Sequence, residues 1–254
     1  MTSYPKRINY VASVIESLYE QTFRPDQVHL WLSLDEFRLK EDELPRDLMS
    51  LVYKGQVLIH WLEWNTYLHK RHEIFNMTIS EDLVFFFDDD TIYPLDLIEN
   101  VYKKSNELDH KYIVNYNKMG SYQFEGRHIK YSRNYVHHEG YDFPLWCGHC
   151  MIPSSVYPKY VLTDEYVAKR NELSPISEES WLQPFIVWEG IPVTCLNYHF
   201  GKSVVPNERY NGLCSWYYKK DENGLHYKDR WLYAVLKEYP YIYDKYVKCF
   251  GYDK

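Results

Sequence analysis

Three consecutive carboxylates, Asp88-Asp89-Asp90, follow directly on the apolar run Leu83-Val84-Phe85-Phe86-Phe87. Such a run reads as a strand buried on both faces. Ligands of open α/β sheets bind beyond the carboxyl ends of the strands. Neighbouring carboxylates repel one another unless they are solvated or joined by a divalent cation. If strand geometry persists, Asp88 and Asp90 project to the same side. A pair spaced that way can hold one hard cation and a ribose hydroxyl, and the cation can hold a diphosphate. A solvated acidic turn is the competing reading.

A second acidic pair, Glu178-Glu179, opens a stretch containing Trp181, Phe185 and Trp188. Ser177 can cap that helix, whose N-terminus favours an ionised carboxylate. An ionised carboxylate can serve as a general base. It can also simply complement the helix dipole above an aromatic core. A third candidate is Trp146-Cys147-Gly148-His149-Cys150. A C-x-x-C pair at a helix N-terminus lowers a thiol pKa and makes a nucleophile. The polar stretch before it and Pro153 and Pro158 after it do not suit that role. A zinc site at Cys147 and Cys150 would need two further ligands. His199 is a candidate metal ligand or a hydrogen-bonded structural residue, and His137-His138 reads as a loop pair.

The elements that must position these groups alternate. Val11, Val14, Ile15 and Leu18 fall at helical spacing, and Val28, Leu30 and Leu32 alternate as in a strand. Leu44, Leu48 and Leu51 predict a second helix, Val57 to Trp61 a second strand, and His69 to Ile79 a third helix. A helix is expected from Pro94, with Leu95, Ile98, Val101 and Tyr102 as its apolar stripe. A strand at 112–114, long loops or irregular antiparallel strands over 117–145, a helix near Glu178 to Trp188, a strand near Pro192 to Leu196 and a helix near Asp229 to Leu236 complete the reading. The alternation argues for an α/β fold with a mostly parallel central sheet flanked by helices and an irregular second half.

Composition bounds the function. The 254 residues carry a formal charge of −7, which speaks against a broad nucleic-acid-binding face. Aromatic residues reach 18%, including 27 Tyr, which suits clefts that stack on sugars or bases. An AT-rich genome produces the same excess. No apolar run is long enough for a transmembrane helix, and the start has no signal-peptide plan. Five scattered cysteines fit a reducing compartment. A cytoplasmic protein is expected. The Tyr- and Lys-rich tail, with Tyr217, Tyr218, Lys219, Lys220, Tyr243, Lys245, Tyr246 and Lys248, offers either a peripheral membrane contact or an ordinary helical cap.

Several of these segments together resemble bacterial family-2-like glycosyltransferases of the GT-A fold. The opening T-S-Y-P-K-R-I, the helix end S-L-Y-E-Q-T-F-R-P-D and the strand H-L-W-L-S-L-D-E-F are similar to theirs. V-F-F-F-D-D-D-T-I-Y-P resembles their metal-binding D-x-D segment. Gly148 to Pro153 is similar to an acceptor-side loop, and Glu178 to Leu182 before W-E-G-I-P-V is similar to their D-D-x-W-L segment. The resemblance implies one domain over 1–254, with a nucleotide-sugar-binding half at 1–116 and an acceptor-binding half and cap at 117–254. It implies transfer of a sugar, with inversion, from a UDP-linked donor to a hydroxyl of a glycan or lipid-linked acceptor, with Mn²⁺ or Mg²⁺.

Carried over by position, Thr2, Ser3, Tyr4, Arg7, Ser33, Lys70, Asp88 and Asp89 would line the nucleotide pocket. Asp88, Asp90 and His199 would serve the metal, and Glu179, or Glu178 beside it, would be the base. Two departures stand out. The acidic pair is Glu-Glu rather than Asp-Asp. The family also has an apolar strand before the T-S-Y-P segment, which here follows Met1 directly. The other classes carried by the sequence are a thiol-disulfide oxidoreductase using Cys147/Cys150 and a carbohydrate-binding protein without catalysis.

Overall fold

The structure is a computed structural model, and it describes residues 1–116, 121–125, 128–132, 149–196, 201–205, 219–222 and 224–250. The first half follows the expected alternation. Helix α1 (Ile8–Tyr19) buries Val11, Val14, Ile15 and Leu18, the face its spacing predicts. Strand β1 (His29–Ser33) pairs in parallel with β2 (Leu58–Leu62), and α2 (Arg46–Tyr53) between them buries Leu48 and Leu51. Strand β3 (Leu83–Phe87) is the apolar run before the aspartates. A short β4 (Thr91–Ile92), α3 (Leu97–Glu107) and β5 (Ile113–Asn115) follow.

Strands β6 (Ser121–Glu125) and β7 (His128–Ser132) form an antiparallel pair, one of the two alternatives expected for this stretch. Then come β8 (His149–Pro153), α4 (Asp164–Leu173), α5 (Glu178–Glu189), β9 (Val193–Cys195), β10 (Lys202–Ser203), α6 (Tyr227–Glu238) and α7 (Pro240–Phe250).

The central sheet is mixed rather than mostly parallel. Its order is β3-β8-β5-β9, and β8 runs antiparallel to both β3 and β5 while β5 and β9 are parallel. The parallel pair β1-β2 forms a separate sheet. Side chains alternate across the central sheet, as the strand repeat requires. Phe86, Cys150 and Ile152 join the core under α5, α6 and α7. Phe87, Val114 and Met151 join the core with α1, α2 and α3. Each fully buried Phe or Ile contributes about 1.5–3 kcal/mol, so both layers rest on these few strands.

Four local expectations are corrected. The segment read as a third helix is a tight 3₁₀ run over Tyr67–Asn76. Packed against β1, the 3₁₀ turn Lys159–Leu162 and the start of α5, it buries His69, Lys70, Arg71 and His72 on its different sides. The third helix of the α type starts at Leu97, not Pro94, and Leu95 is exposed. Pro94 instead supplies its carbonyl to the Leu97 N–H. Trp188, read as core, is 40% exposed at the end of α5. Strand β3 is buried at Phe86 and Phe87 but only half-buried at Leu83, Val84 and Phe85. No helix among the described residues is long and apolar enough to cross a membrane.

Candidate functional site

The acidic run lies where β3 ends. Asp89 turns inward, with only 5% of its surface exposed. It accepts a hydrogen bond from Ser3 Oγ at 2.5 Å and one from Arg7 at 3.0 Å. Burial pushes its carboxyl up, and Arg7 and Ser3 pull against that. Arg7 also reaches Asp90 Oδ2 at 2.9 Å, and its guanidinium lies 5.7 Å from the Tyr4 ring. The two aspartates in turn hold Arg7 firmly protonated. Asp89 therefore fastens the N-terminal segment to the end of β3.

Asp88 and Asp90 keep part of their surface open. Thr91 Oγ1 donates to Asp90 at 3.1 Å, and Tyr93 Oη accepts from the Asp88 N–H at 3.0 Å. Strand β10 backs this turn. The Val204 N–H donates to the Asp90 carbonyl at 2.8 Å. Gly201 lies so close to β4 that a Cβ there would stand 2.2 Å from the Ile92 carbonyl oxygen.

Arg71 joins the two acidic motifs. It donates to Asp88 Oδ1 at 3.4 Å and grips both carboxylate oxygens of Glu178, Nε reaching Oε2 at 3.0 Å and Nη2 bonding Oε1. His72 Nε2 lies 2.9 Å from the same Oε2, and Tyr157 Oη lies 3.1 Å from His72 Nδ1. Burial and the adjacent Arg71 drive the His72 imidazole well below its ordinary range, so it is neutral. In the neutral ring only one nitrogen carries a proton, and the carboxylate selects Nε2–H. Burial raises Asp88 and Glu178 each to about 7 against the pull of Arg71, and neighbouring carboxylates add to the rise.

Glu179 sits beside this pair at the start of α5. Ser177 caps the helix by accepting the Ser180 N–H at 3.2 Å and donates to Glu179 Oε2 at 3.0 Å. Lys228 of α6 lies 3.9 Å from the other oxygen. Glu179 and Glu178 are both nearly fully enclosed.

The remaining nucleotide candidates gather on the same side of the molecule. Thr2 donates to the Trp31 carbonyl at 2.9 Å. Ser33 and Lys70 both donate to Glu36 Oε2, at 2.7 and 2.9 Å. Lys70 also reaches the Ser3 carbonyl at 3.5 Å. It is thus a buried cation paired with Glu36, not a solvated helix lysine, and burial lowers its pKa. His199, His137-His138, Cys147, Gly148, Tyr217 and Tyr218 lie outside the described residues. Cys150 lies mid-strand in β8, fully buried, and burial pushes its thiol far up. That is the opposite of an activated nucleophile.

Sequence reading missed Arg71, His72, Glu36 and Tyr93. Their signal was faint. K-R-H-E looks like a solvated charge run, and the groups that enclose Lys70, Arg71 and His72, among them Glu36 and Glu178, lie far away in sequence.

A divalent cation can be tested against this donor set. Among the described residues, no group of three or more His, Cys, Asp and Glu side chains stands together as a metal cage. Asp88 and Asp90 are hard oxygen donors with part of their surface open, each beside an arginine. Mg²⁺-type ions are commonly held by one or two carboxylates together with substrate phosphates. The residues fit such a shared site, not a closed all-protein one.

No protein-family description matches the chain, and no curated protein matches it. Among solved structures, residues 1–349 of S. aureus TarS are similar at a TM-score of 0.46 and 13% identity. The match covers 82% of this chain and 60% of that one, so this chain spans less than two thirds of its length.

Proposed function

We propose that this chain is a nucleotide-sugar-dependent glycosyltransferase. The observation that carries the reading is the Arg71 bridge, which brings the Asp88–Asp90 turn and the Glu178-Glu179 helix start to one place. Each motif alone has a bland explanation. Their meeting at the end of a buried strand favours a common site.

In this reading the donor is UDP-linked and the acceptor is a hydroxyl of a glycan or lipid-linked precursor. Asp88 and Asp90 would hold Mn²⁺ or Mg²⁺, which when bound stabilises charge on a departing diphosphate. The acceptor oxygen attacks the anomeric carbon, the bond to the diphosphate oxygen breaks, and its electron pair leaves with the diphosphate. Glu179 takes the acceptor proton. Glu178 is the poorer base because Arg71 and His72 engage both its oxygens. Its work is to hold Arg71 beside Asp88. Thr2, Ser3, Arg7, Ser33 and Lys70 shape the nucleotide side, mostly by fixing the N-terminal segment against Asp89 and Glu36.

The test is calorimetric titration of UDP into the purified chain with Mn²⁺ and then with EDTA. Binding that needs Mn²⁺ and vanishes in Asp90→Ala supports the reading. Metal-independent binding, or none for UDP and other sugar-linked nucleotides, overturns it.

A further inference from the structure

Arg170 stands in the last turn of α4 and is 2% exposed. A charge taken out of water needs a counter-charge and hydrogen bonds. Two other buried cations have both, Lys70 from Glu36 and Arg71 from Glu178. Arg170 has no such carboxylate. Among the described residues its guanidinium bonds only to Asn171, whose Oδ1 accepts from Nε at 3.3 Å and from Nη2 at 3.2 Å. That oxygen is neutral, and both distances are long for such bonds. Glu73 pulls on the guanidinium from farther away, yet burial still lowers its pKa.

Arg170 borders a small cavity of about 10 Å³, behind the candidate site. His69, His72, Tyr157 and Trp181 supply its other polar walls, and aliphatic side chains close it. These groups can be assigned one by one. His69 Nε2 lies 2.9 Å from the Ser174 carbonyl and therefore carries the ring proton. Burial and the nearby Arg170 drive that imidazole well below its ordinary range, so it is neutral. His72 is neutral as well. It gives Nε2–H to Glu178 and takes the Tyr157 hydroxyl at Nδ1. The Trp181 indole Nε1 is enclosed without a hydrogen-bond partner. An indole nitrogen can only donate. The cavity wall thus holds a buried positive charge and an unused N–H donor, and no carboxylate lines it.

We propose that this cavity binds one small monovalent anion, chloride in ordinary salt, held by the Arg170 guanidinium and the Trp181 indole N–H. Such an anion accepts from both donors and supplies the missing counter-charge. Water would satisfy the N–H but leave the guanidinium without a counter-charge. The volume suits about one water-sized particle, which excludes sulfate, phosphate and organic acids. The ion ties α4 to α5 beside His72, the ring that contacts Glu178. The inference stands independently of the transferase reading.

An anion bound only by the folded chain raises Tm. The test melts the chain at equal ionic strength in sodium chloride and in sodium gluconate, whose anion is too large for the cavity. Chloride is expected to raise Tm by about 3 °C at a tenfold excess over Kd. Arg170→Met removes the charge and keeps an apolar stem. Trp181→Phe removes the N–H and keeps a ring. Each variant should melt at the same temperature in both salts. Crystals grown in sodium chloride give the direct reading. Diffraction at long wavelength, where chloride scatters anomalously and water does not, should show a peak within hydrogen-bond reach of Arg170 and Trp181 Nε1. That measurement uses the unaltered chain, so it decides the matter even if both substitutions prevent folding. Equal Tm of the parent in both salts, a chloride effect retained by both variants, or density at the site without an anomalous peak overturns the proposal.

Discussion

Arg71 and Glu178 form a two-pronged ion pair in which both side chains are almost wholly withdrawn from solvent, at 1% and 0% exposure. One lies on the 3₁₀ run before β3 and the other opens α5, so the pair ties the two halves of the site. Removing one partner of a buried pair costs about 3–5 kcal/mol because the survivor is stranded.

The two removals are not equivalent. Without Arg71, Glu178 can take up a proton, since burial already places it at about 7. Without Glu178, the guanidinium cannot shed its charge. Urea midpoints are therefore expected to fall further for Glu178→Met than for Arg71→Met. The Arg71→Met deficit should also be smaller at pH 5.5 than at pH 8. Equal deficits at both pH values would mean that Glu178 stays ionised without its partner.

Glu179 and Glu178 should separate by kinetics. Glu179→Gln keeps its shape and its bond to Ser177 but loses a base, so kcat should fall about 10²–10⁴-fold with UDP affinity little changed. Glu178→Gln should instead lower the stability midpoint, and activity should fall through the loosened Arg71. Steady-state kinetics with a UDP-sugar, read beside urea titrations, tell the two apart. If Glu178→Gln were the fully inactive, normally stable variant, the base assignment would pass to Glu178.

The alternating first half was readable because its signals are local. The spacing of Val11 to Leu18 and the run Leu83 to Phe87 each depend on a few neighbours. The sheet order was not readable. Strand β8 enters between β3 and β5 antiparallel, and a short apolar strand carries no local mark of the direction in which it will pair. Asp88 to Asp90 and the Glu178-Glu179 pair stood out as motifs, yet what joins them did not. Arg71 is recognisable only once the 3₁₀ run turns it inward, and Asp89's partners Ser3 and Arg7 are more than eighty residues away in sequence. Long-range pairing of buried charges leaves no periodic trace.

Metal binding should appear as stabilisation. A cation that binds the folded chain and not the unfolded one stabilises by RT ln(1 + [L]/Kd), about 2.7 kcal/mol at a hundredfold excess over Kd. In this protein Mn²⁺ with UDP is expected to raise Tm, and EDTA to reverse the rise. Asp88→Asn and Asp90→Asn should each abolish the rise while leaving the metal-free Tm within a few degrees. A full Mn²⁺ effect in both variants would remove those carboxylates from the metal site.

Acid should weaken the sheet edge at His29. Its Nδ1 lies 2.8 Å from His60 Nε2, so the pair can share only one proton between them. Burial lowers His29 to about 4, and repulsion from His60 and the Met1 amine adds to this, with Asp82 opposing. In the unfolded chain the ring titrates near its ordinary 6.5. Between those values the unfolded state binds more protons, so this group makes stability rise with pH from about 4 to about 6.5. His29→Gln should therefore be less stable than the parent at pH 7, where the ring is neutral in both states. The gap should shrink as pH falls to 4.5. Urea titrations at the two pH values measure it, and a gap that widens in acid would mean that folded His29 carries the proton.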